Sequence, residues 1–322
     1  MGSYRVKASA FLLFSFAALS GFNASAQHTK SALPAAHITP QQAIALAQQG
    51  KCRESISALE RATAPEVPAE TRKQAGVIGI RCALAIDDRP AVLEFIRLLN
   101  SSDMGHDPDV LYVIVHAYSD LSGRTALDLA RTAPHSTAAH KLNAEALEEQ
   151  GRWQPAELEY EEILKKDPNA RGIHFLLGRL LLSRPDAGAD APARAKEEFL
   201  KELQIDPGNA DAEYILGVLA QHAQDFDEAV TRFSQAAKLN QNFAEAYLGW
   251  GVSLLGEKKY EEALAPLQHA ERLTPGNPDI HNALATALVR TGNKAEAEKE
   301  FAILRSLSSA NHSGAPAAEQ PQ

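Results

Sequence analysis

The stretch Gln204–Gly217, QIDPGNADAEYILG, contains a turn phrase that returns along the chain. Related phrases surround Pro168 and Pro275, and the prolines are separated by 207 − 168 = 39 and 275 − 207 = 68 residues. Because 68 is twice 34, the phrase marks a unit of 34 residues, and one unit is longer by 39 − 34 = 5 residues. Proline lacks the amide hydrogen that continues a helix, and Gly208 and Asn209 tolerate turn backbone. The phrase therefore predicts a turn between successive helical units.

Small residues followed four positions later by large ones recur along the chain and become evenly spaced towards its C-terminal end. The pairs are Ser55/Leu59, Ala91/Phe95, Ala156/Tyr160, Ala195/Phe199, Ala229/Phe233, Ala263/Leu267 and Ala297/Phe301. The last three steps between first members are 34 residues each, for example 229 − 195 = 34. Apolar residues around each pair repeat every three or four positions, as on one face of a helix, and a second such pattern precedes the pair. The repeating unit is therefore predicted to be helix, turn, helix.

The segment Ala244–Asn277 carries the pattern most completely. Its marks are Tyr247, Trp250-Gly251, Tyr260, Ala263, Leu267, Ala270 and Pro275, and the large–small pair returns as Leu177-Gly178, Leu216-Gly217 and Leu284-Ala285. In these positions the chain resembles the tetratricopeptide repeat (TPR) family, closely over 137–308. Over 36–136 it resembles the family more weakly, as degenerate TPR-like helical hairpins with a short one near 108–136. The resemblance implies an all-α fold, a right-handed superhelical solenoid of about eight antiparallel helix pairs whose small residues permit close helix approach.

The longer unit carries its extra residues in the segment 183–192, between the two helices of one pair. Asp186 and Asp190 flank Gly188 in this segment, as acidic residues do in calcium-binding loops. The segment lacks the other oxygen ligands and the closing glutamate of such loops. We therefore predict a lengthened turn and no metal site.

The N-terminus has the layout of a secretory signal peptide. Two basic residues precede the apolar run 8–19, and Ala24-Ser25-Ala26 provides a cleavage site. The run is shorter than the ~20 apolar residues that a membrane-spanning helix needs. We therefore predict cleavage of residues 1–26, a linker over 27–35, and export to the periplasm or the extracellular space, with no membrane span after cleavage. The C-terminal residues 309–322, without an apolar helical face, are predicted to form a disordered tail.

Cys52 and Cys82 are the two cysteines of the chain. In an oxidising compartment an even number of cysteines favours a disulfide. In the repeat register Cys52 begins a second helix, and Cys82 lies near the end of the next first helix. Antiparallel neighbours bring these two places to the same level, so a disulfide is possible. Two separate buried thiols are equally compatible with the sequence.

Composition and motifs argue against several classes of function. The net charge is −9 and no Lys/Arg cluster alternates with aromatic residues, so nucleic-acid binding is disfavoured. The acidic balance suits basic partners, although only weakly. No H-E-x-x-H, G-x-S-x-G or G-x-G-x-x-G pattern occurs, so we predict no catalytic residue, no enzyme activity and no cofactor.

Three histidines, His140, His174 and His281, occupy equivalent places in their first helices. Packed helices lie about 8–10 Å apart, whereas metal–nitrogen bonds are about 2 Å long. One metal therefore cannot join these histidines, and we predict that they are half-buried packing residues.

The resemblance also implies where a partner binds, because the first helices of such proteins line the concave surface. Carried over to this chain, the first-helix face contains Phe175, Arg179, Leu182, Tyr214, Val218, Gln221, Leu248, Val252, Leu255, Asn282, Thr286 and Val289. An exposed apolar groove usually marks an interaction site, but TPR proteins also place apolar residues there for packing. Both roles remain open for these residues.

Two functions are compatible with this pattern. The first is an exported TPR protein that binds a protein or peptide ligand through its concave face. The second is a structural scaffold or accessory of an envelope machine for secretion, pilus assembly or polysaccharide export.

Overall fold

The computed structural model describes residues 38–101, 104–185 and 187–313. Within these ranges the chain forms fifteen α-helices, α1 to α15, and no β-strand. The prediction of an all-α fold is confirmed. The chain divides into two compact units, residues 1–122 and 123–322.

Three predicted segments fall wholly or partly beyond these ranges. The signal peptide over 1–26 and the linker over 27–35 lie outside the described residues. The last helix continues to Ser313, past the predicted start of the tail at residue 309. Residues 314–322 lie outside the described part of the chain.

The first unit contains two helix pairs and the beginning of a long helix. Its elements are α1 (Pro40–Gln48), α2 (Cys52–Arg61), α3 (Ala69–Ala85), α4 (Arg89–Asn100) and α5 (Pro108–Thr132), of which α5 continues into the second unit. Leu59, Ile80, Phe95 and Leu99 are at most 1% exposed and centre the core of this unit. The short hairpin expected near 108–136 does not form. No proline follows Pro108 within α5 to interrupt its backbone hydrogen bonds, so the segment remains one helix.

The second unit contains five helix pairs. Their first helices are α6 (Thr137–Glu149), α8 (Ile173–Ser183), α10 (Ala210–His222), α12 (Ala244–Gly256) and α14 (Pro278–Arg290). Their second helices are α7 (Trp153–Lys166), α9 (Ala191–Ile205), α11 (Phe226–Leu239), α13 (Tyr260–Leu273) and α15 (Lys294–Ser313). Each second helix packs against the first helix of its own pair, and all but the last also pack against the next first helix. The described residues therefore contain seven pairs and α5, close to the predicted eight pairs.

Glycines in the first helices α3, α8, α10 and α12 allow a large side chain of the second helix to pack at the centre of the pair. A Cβ atom added to Gly217 on α10 would lie 2.8 Å from Cδ1 of Phe233 on α11. On the other side of the same ring, a Cβ added to Gly249 on α12 would lie 2.7 Å from the Cε1 atom. Phe233 is 1% exposed, so its ring is held between α10 and α12 with no space to move.

The recurring turn phrase has a defined structural role at the start of the next helix. The side chain of Asn209 accepts a hydrogen bond from the backbone N–H of Ala212, 2.9 Å away, and caps α10. Asn277 caps α14 in the same way, accepting from the N–H of Asp279 at 2.9 Å. An N-terminal cap of this kind satisfies a backbone donor that the helix cannot satisfy itself.

The turns inside the pairs depend on one residue with left-handed backbone. Six of the seven pairs contain such a residue between their two helices: Gly50, Asp87, Gly151, Gln224, Lys258 and Gly292, with φ between 57° and 84°. The exception is the α8–α9 pair, whose longer turn reverses the chain without one among its described residues. Arg184 at the start of this turn and Arg194 after it both donate to Glu157, at 2.9 and 2.6 Å. The lengthened turn is thus anchored at its base to α7.

A disulfide joins Cys52 at the start of α2 to Cys82 in the last turns of α3, with a Cα–Cα distance of 5.0 Å. The two cysteines are 8% and 3% exposed, so the bond lies within the core of the first unit. The two alternatives left open by the sequence, a bridge or two separate thiols, are distinguishable by experiment.

We predict that Gly217→Ala destabilises the protein by about 1–3 kcal/mol, because the new methyl group overlaps the immobile ring of Phe233. The unfolding midpoint in urea measures this change. Gly123→Ala is the matched control. Gly123 also lies inside a helix, but a Cβ added there meets nothing within 4 Å. The control should leave stability unchanged or raise it by up to about 1 kcal/mol. Equal midpoints for the two variants would contradict the close packing at Gly217.

We predict that the purified, denatured and unreduced protein contains no free thiol. The bridge closes a loop with a sequence separation of 30 residues, so reduction should lower the free energy of unfolding by about 3–4 kcal/mol. Thiol titration and unfolding with and without reductant measure the two effects. A Cys52→Ser/Cys82→Ser variant should be insensitive to reductant. Two free thiols in the unreduced protein would refute the bridge.

Candidate partner-binding surface

The predicted binding residues lie on four consecutive first helices, α8, α10, α12 and α14. Tyr214, Leu248 and Asn282 occupy equivalent places, since 248 − 214 and 282 − 248 are both 34. The first helices also contact one another directly, α10 with α12 and α12 with α14. Gln221 on α10 donates to the hydroxyl of Ser253 on α12 at 3.1 Å. α10, α12 and α14 therefore form a continuous face of the second unit, and α8 joins them through a core cluster that contains its Leu181 and Leu216 of α10.

The residues of this face differ in their solvent exposure. Leu182, Val252 and Val289 are exposed, by 36%, 37% and 48%. Arg179, Asn282 and Thr286 are also exposed. The remaining members, Phe175, Tyr214, Val218, Gln221, Leu248 and Leu255, are half-buried.

Two of the half-buried aromatic side chains have clear packing roles. The ring of Tyr214 lies 5.6 Å from that of Phe233 and 4.8 Å from that of Phe243, centroid to centroid. Phe175 packs edge-on against Phe199 at 5.6 Å. Burial, followed by the charge of Glu245, raises the pKa of Tyr214. These rings pack inside the helix pairs. The apolar side chains of the face that a partner can reach directly are therefore Leu182, Val252 and Val289.

The α8 end of the face is held by charged groups that already have partners. Arg179 on α8 pairs with Glu148 on α6 at 3.2 Å. The hydroxyl of Tyr160 donates to the same carboxylate at 2.6 Å. Burial, together with this hydrogen bond, raises the pKa of Tyr160. Arg179 thus links α8 to α6, just as Gln221 links α10 to α12.

The three equivalent histidines bond to equivalent glutamates on their second helices. The Nδ1 atoms of His140, His174 and His281 lie 2.7, 2.6 and 2.7 Å from carboxylate oxygens of Glu159, Glu198 and Glu300. Each glutamate follows the small residue of its pair by three positions, a regularity that could have revealed the partners in the sequence. In the α10–α11 pair the charges are exchanged, since Arg232 donates to Glu213 at 3.1 Å. The packing role predicted for the histidines is therefore accompanied by a polar bond between the two helices of each pair.

His281 is the most buried of these residues, at 1% exposure. Its Nε2 atom lies 2.8 Å from the carbonyl oxygen of Pro275, and Nδ1 faces Glu300. A carbonyl oxygen and an ionised carboxylate both accept hydrogen bonds, so this arrangement favours the protonated ring, in which both nitrogens donate. Burial opposes this charge, but the Pro275 carbonyl and the carboxylates of Glu300 and Glu271 prevail and raise the pKa of His281.

Glu271, His281 and Glu300 could together suggest a metal site, because one potential metal-binding atom of each lies within 4.8 Å of those of the other two. Metal binding needs a ring nitrogen with a free lone pair. Both nitrogens of His281 already face hydrogen-bond acceptors, Glu300 and the carbonyl of Pro275. The group is therefore explained by the hydrogen bond of His281 on α14 to Glu300 on α15, with the charge of Glu271 on α13 close by.

The first unit has its own open groove of about 290 Å³ along α3 and α5. Lys73 at its wall pairs with Asp107 and Asp109, at 2.8 and 3.1 Å. Beside it, Leu111, Tyr112, Val115 and Tyr118 form an exposed apolar stripe on α5. In the part of the chain that the structure describes, no helix has the length and apolar character needed to cross a membrane.

The second unit is thus an array of helix pairs whose first helices form one continuous face. Two tetratricopeptide repeat models match this region, one over residues 141–210 and 214–278 and the other over residues 254–307. This part of the chain belongs to the tetratricopeptide repeat family, and the predicted resemblance is confirmed there.

Solved structures with a similar fold include two of MamA and one of YrrB. The first is MamA, at 22% identity and a TM-score of 0.50, covering 57% of this chain and 98% of that one. The second is the MamA RS-1 ArsTM double mutant, at 20% and 0.50, covering 55% and 97%. The third is YrrB, described as a TPR protein with an unusual peptide-binding site, at 20% and 0.49, covering 56% and 91%. At these identities the similarity concerns the fold alone. No curated protein sequence matches the chain.

We predict that His281→Gln makes stability less dependent on pH. A raised folded-state pKa means that the stabilisation by His281 is fully present below its ordinary value of 6.5 and is lost as pH rises through the folded value. Melting temperatures between about pH 6 and 9 should therefore fall more steeply for the wild type than for the variant. His222→Gln, at an exposed position at the end of α10, should retain the wild-type slope. Parallel slopes for His281→Gln and the wild type would contradict the charged pair.

Proposed function

We propose that the protein is an exported interaction module that binds a peptide or protein segment along the first-helix face of its second unit. The observation that carries this proposal is that Leu182, Val252 and Val289, on the first helices α8, α12 and α14, are exposed apolar side chains. Apolar side chains that remain exposed on a well-packed array gain free energy when a partner covers them. The face presents apolar contact and no catalytic constellation, which supports binding as its role.

Export is part of the same proposal. The signal-peptide pattern over residues 1–26 supports transport to the periplasm or beyond the cell. The Cys52–Cys82 bridge fits an oxidising compartment of this kind.

A scaffold role in an envelope machine is the second candidate. It is favoured by the exposed stripe on α5, formed by Leu111, Tyr112, Val115 and Tyr118 of the first unit. A scaffold needs two surfaces that bind different partners, and this stripe belongs to a different unit from the first-helix face.

The proposal is tested by selecting peptides from a random dodecapeptide library on the full chain. Leu182→Glu/Val252→Glu places charge within the face and should weaken the selected peptides by at least about tenfold, since burying an unpaired charge is costly. The matched control is Leu158→Glu/Leu127→Glu, which changes side chains that are 58% and 72% exposed, outside both the first-helix face and the α5 stripe.

Circular dichroism and melting temperature establish that all variants are folded. Peptides that bind the face variant as tightly as the wild type would refute the proposal, as would a selection that yields no binder. Peptides lost only from the Leu158→Glu/Leu127→Glu control would move the binding site away from the first-helix face.

A further inference from the structure

Three acidic residues follow the first-helix face with the period of the repeat. Asp211, Glu245 and Asp279 are the second residues of α10, α12 and α14, and they are separated by 34 residues each. All three are exposed. Among the described residues, none of their carboxylates has an ion-pair partner. They form a row of three uncompensated negative charges, which we call the acidic row.

The acidic row borders the apolar part of the face. Each acid precedes a member of the face by three positions, as Asp211 precedes Tyr214 and Glu245 precedes Leu248. Residues three apart lie on the same side of a helix. Val252 lies one further turn along α12 in the same direction. A partner that covers Val252 therefore has other side chains of its own close to the acidic row.

We propose that the occupant of this face is an extended peptide segment with basic side chains at every third position and apolar side chains between them. This inference rests on the proposed function and specifies the partner. Neighbouring first helices lie about 8–10 Å apart, which sets the spacing of the acids. An extended polyproline-type chain rises about 3.1 Å per residue with three residues per turn, so every third side chain points the same way about 9 Å further on. One basic side chain then meets each acid as the peptide crosses α10, α12 and α14.

The α8 end of the face offers no acidic side chain to a basic peptide. At α8 the place equivalent to Asp279 is Gly172, which lies two residues before His174 as Asp279 lies two before His281 and carries no charge. The exposed charge of the face on α8 is Arg179, already paired with Glu148. The first turns of α6 and α8 contain no acidic residue. The basic segment is therefore placed over α10 to α14, and the α8 end contributes the apolar contact of Leu182.

Acidic residues in a first turn also stabilise their own helix through its dipole. This effect alone does not explain the row, because α6 and α8 form without it. It does provide a matched control. Asp227, Glu261 and Glu296 lie in the first turns of the second helices α11, α13 and α15 and are exposed as well. Neutralising them removes the same number of charges and the same kind of dipole interaction away from the face.

The test uses the full chain and three synthetic peptides, four repeats each of Lys-Val-Pro, Gln-Val-Pro and Glu-Val-Pro. Binding is measured by fluorescence anisotropy at low and high salt. The Lys peptide should bind about tenfold more tightly than the Gln peptide, because three exposed ion pairs each contribute a modest factor. The Glu peptide should bind weakest, and high salt should reduce the difference.

The variant Asp211→Asn/Glu245→Gln/Asp279→Asn should bind the Lys and Gln peptides equally. The control Asp227→Asn/Glu261→Gln/Glu296→Gln should keep the wild-type preference for lysine. Absence of Lys-peptide binding, equal affinity of the wild type for the Lys and Gln peptides, or equal loss in both triple variants would each overturn the inference.

The outcomes also separate this inference from the proposed function. If peptides from the random library lose binding in Leu182→Glu/Val252→Glu but not in the acidic-row variant, the face binds peptides without selecting basic ones. The proposed function then stands and the basic partner is wrong. If the library peptides bind all variants alike, both fail.

Discussion

The second unit depends on a large side chain of one helix packing directly against the backbone of its neighbours. Phe233 shows the constraint most clearly, because its ring lies against Gly217 of its own pair and Gly249 of the next. The glycines remove the side chains that would otherwise separate the helices, so dispersion contacts form over the whole ring. The distance between helix pairs follows from this contact. The direct contacts between α10, α12 and α14, and therefore the continuous face, follow in turn.

Hydrogen-bonded side chains also join the first and second helices of several pairs. The bond from His281 to Glu300 and the bond from Arg232 to Glu213 join first and second helices at equivalent places, although the donor is on opposite helices in the two cases. A half-buried place between helices tolerates either arrangement as long as each charge keeps its partner, because an unpaired buried charge is costly. At these two positions the repeat therefore requires a donor on one helix and a carboxylate on the other, and either helix can carry either residue.

Much of the fold could be predicted from the sequence because a repeated pattern is sampled many times. The period of 34, the close approach at Gly217 and the position of the helix starts all follow from residues that recur. The single helix α5 could not be predicted in this way, since its segment occurs once and has no repeat to compare with. Its uninterrupted helix is consistent with the absence of a second proline, but the weak repeat signal suggested a hairpin.

The sequence predicts which residues lie on the first-helix face, but it does not predict how exposed each of them is. Helical periodicity places Tyr214 and Val252 on the same side, yet only the structure shows that Tyr214 packs on Phe233 and Phe243 while Val252 stays exposed. The difference depends on neighbours from other helices, which spacing along one helix does not contain. The glutamate partners of the histidines lie on the other helix of each pair, so they become apparent only when equivalent positions of several repeats are compared.

The lengthened turn between α8 and α9 shows where this architecture can change in length. It lies at the C-terminal end of a first helix, whereas the acidic row lies at the N-terminal ends, about 20 Å away for helices of 13 residues. Glu157 on α7 holds both ends of the turn through Arg184 and Arg194. A fluorescent label attached in this turn would therefore lie beside Leu182, at the α8 end of the first-helix face, and leave the acidic row unobstructed.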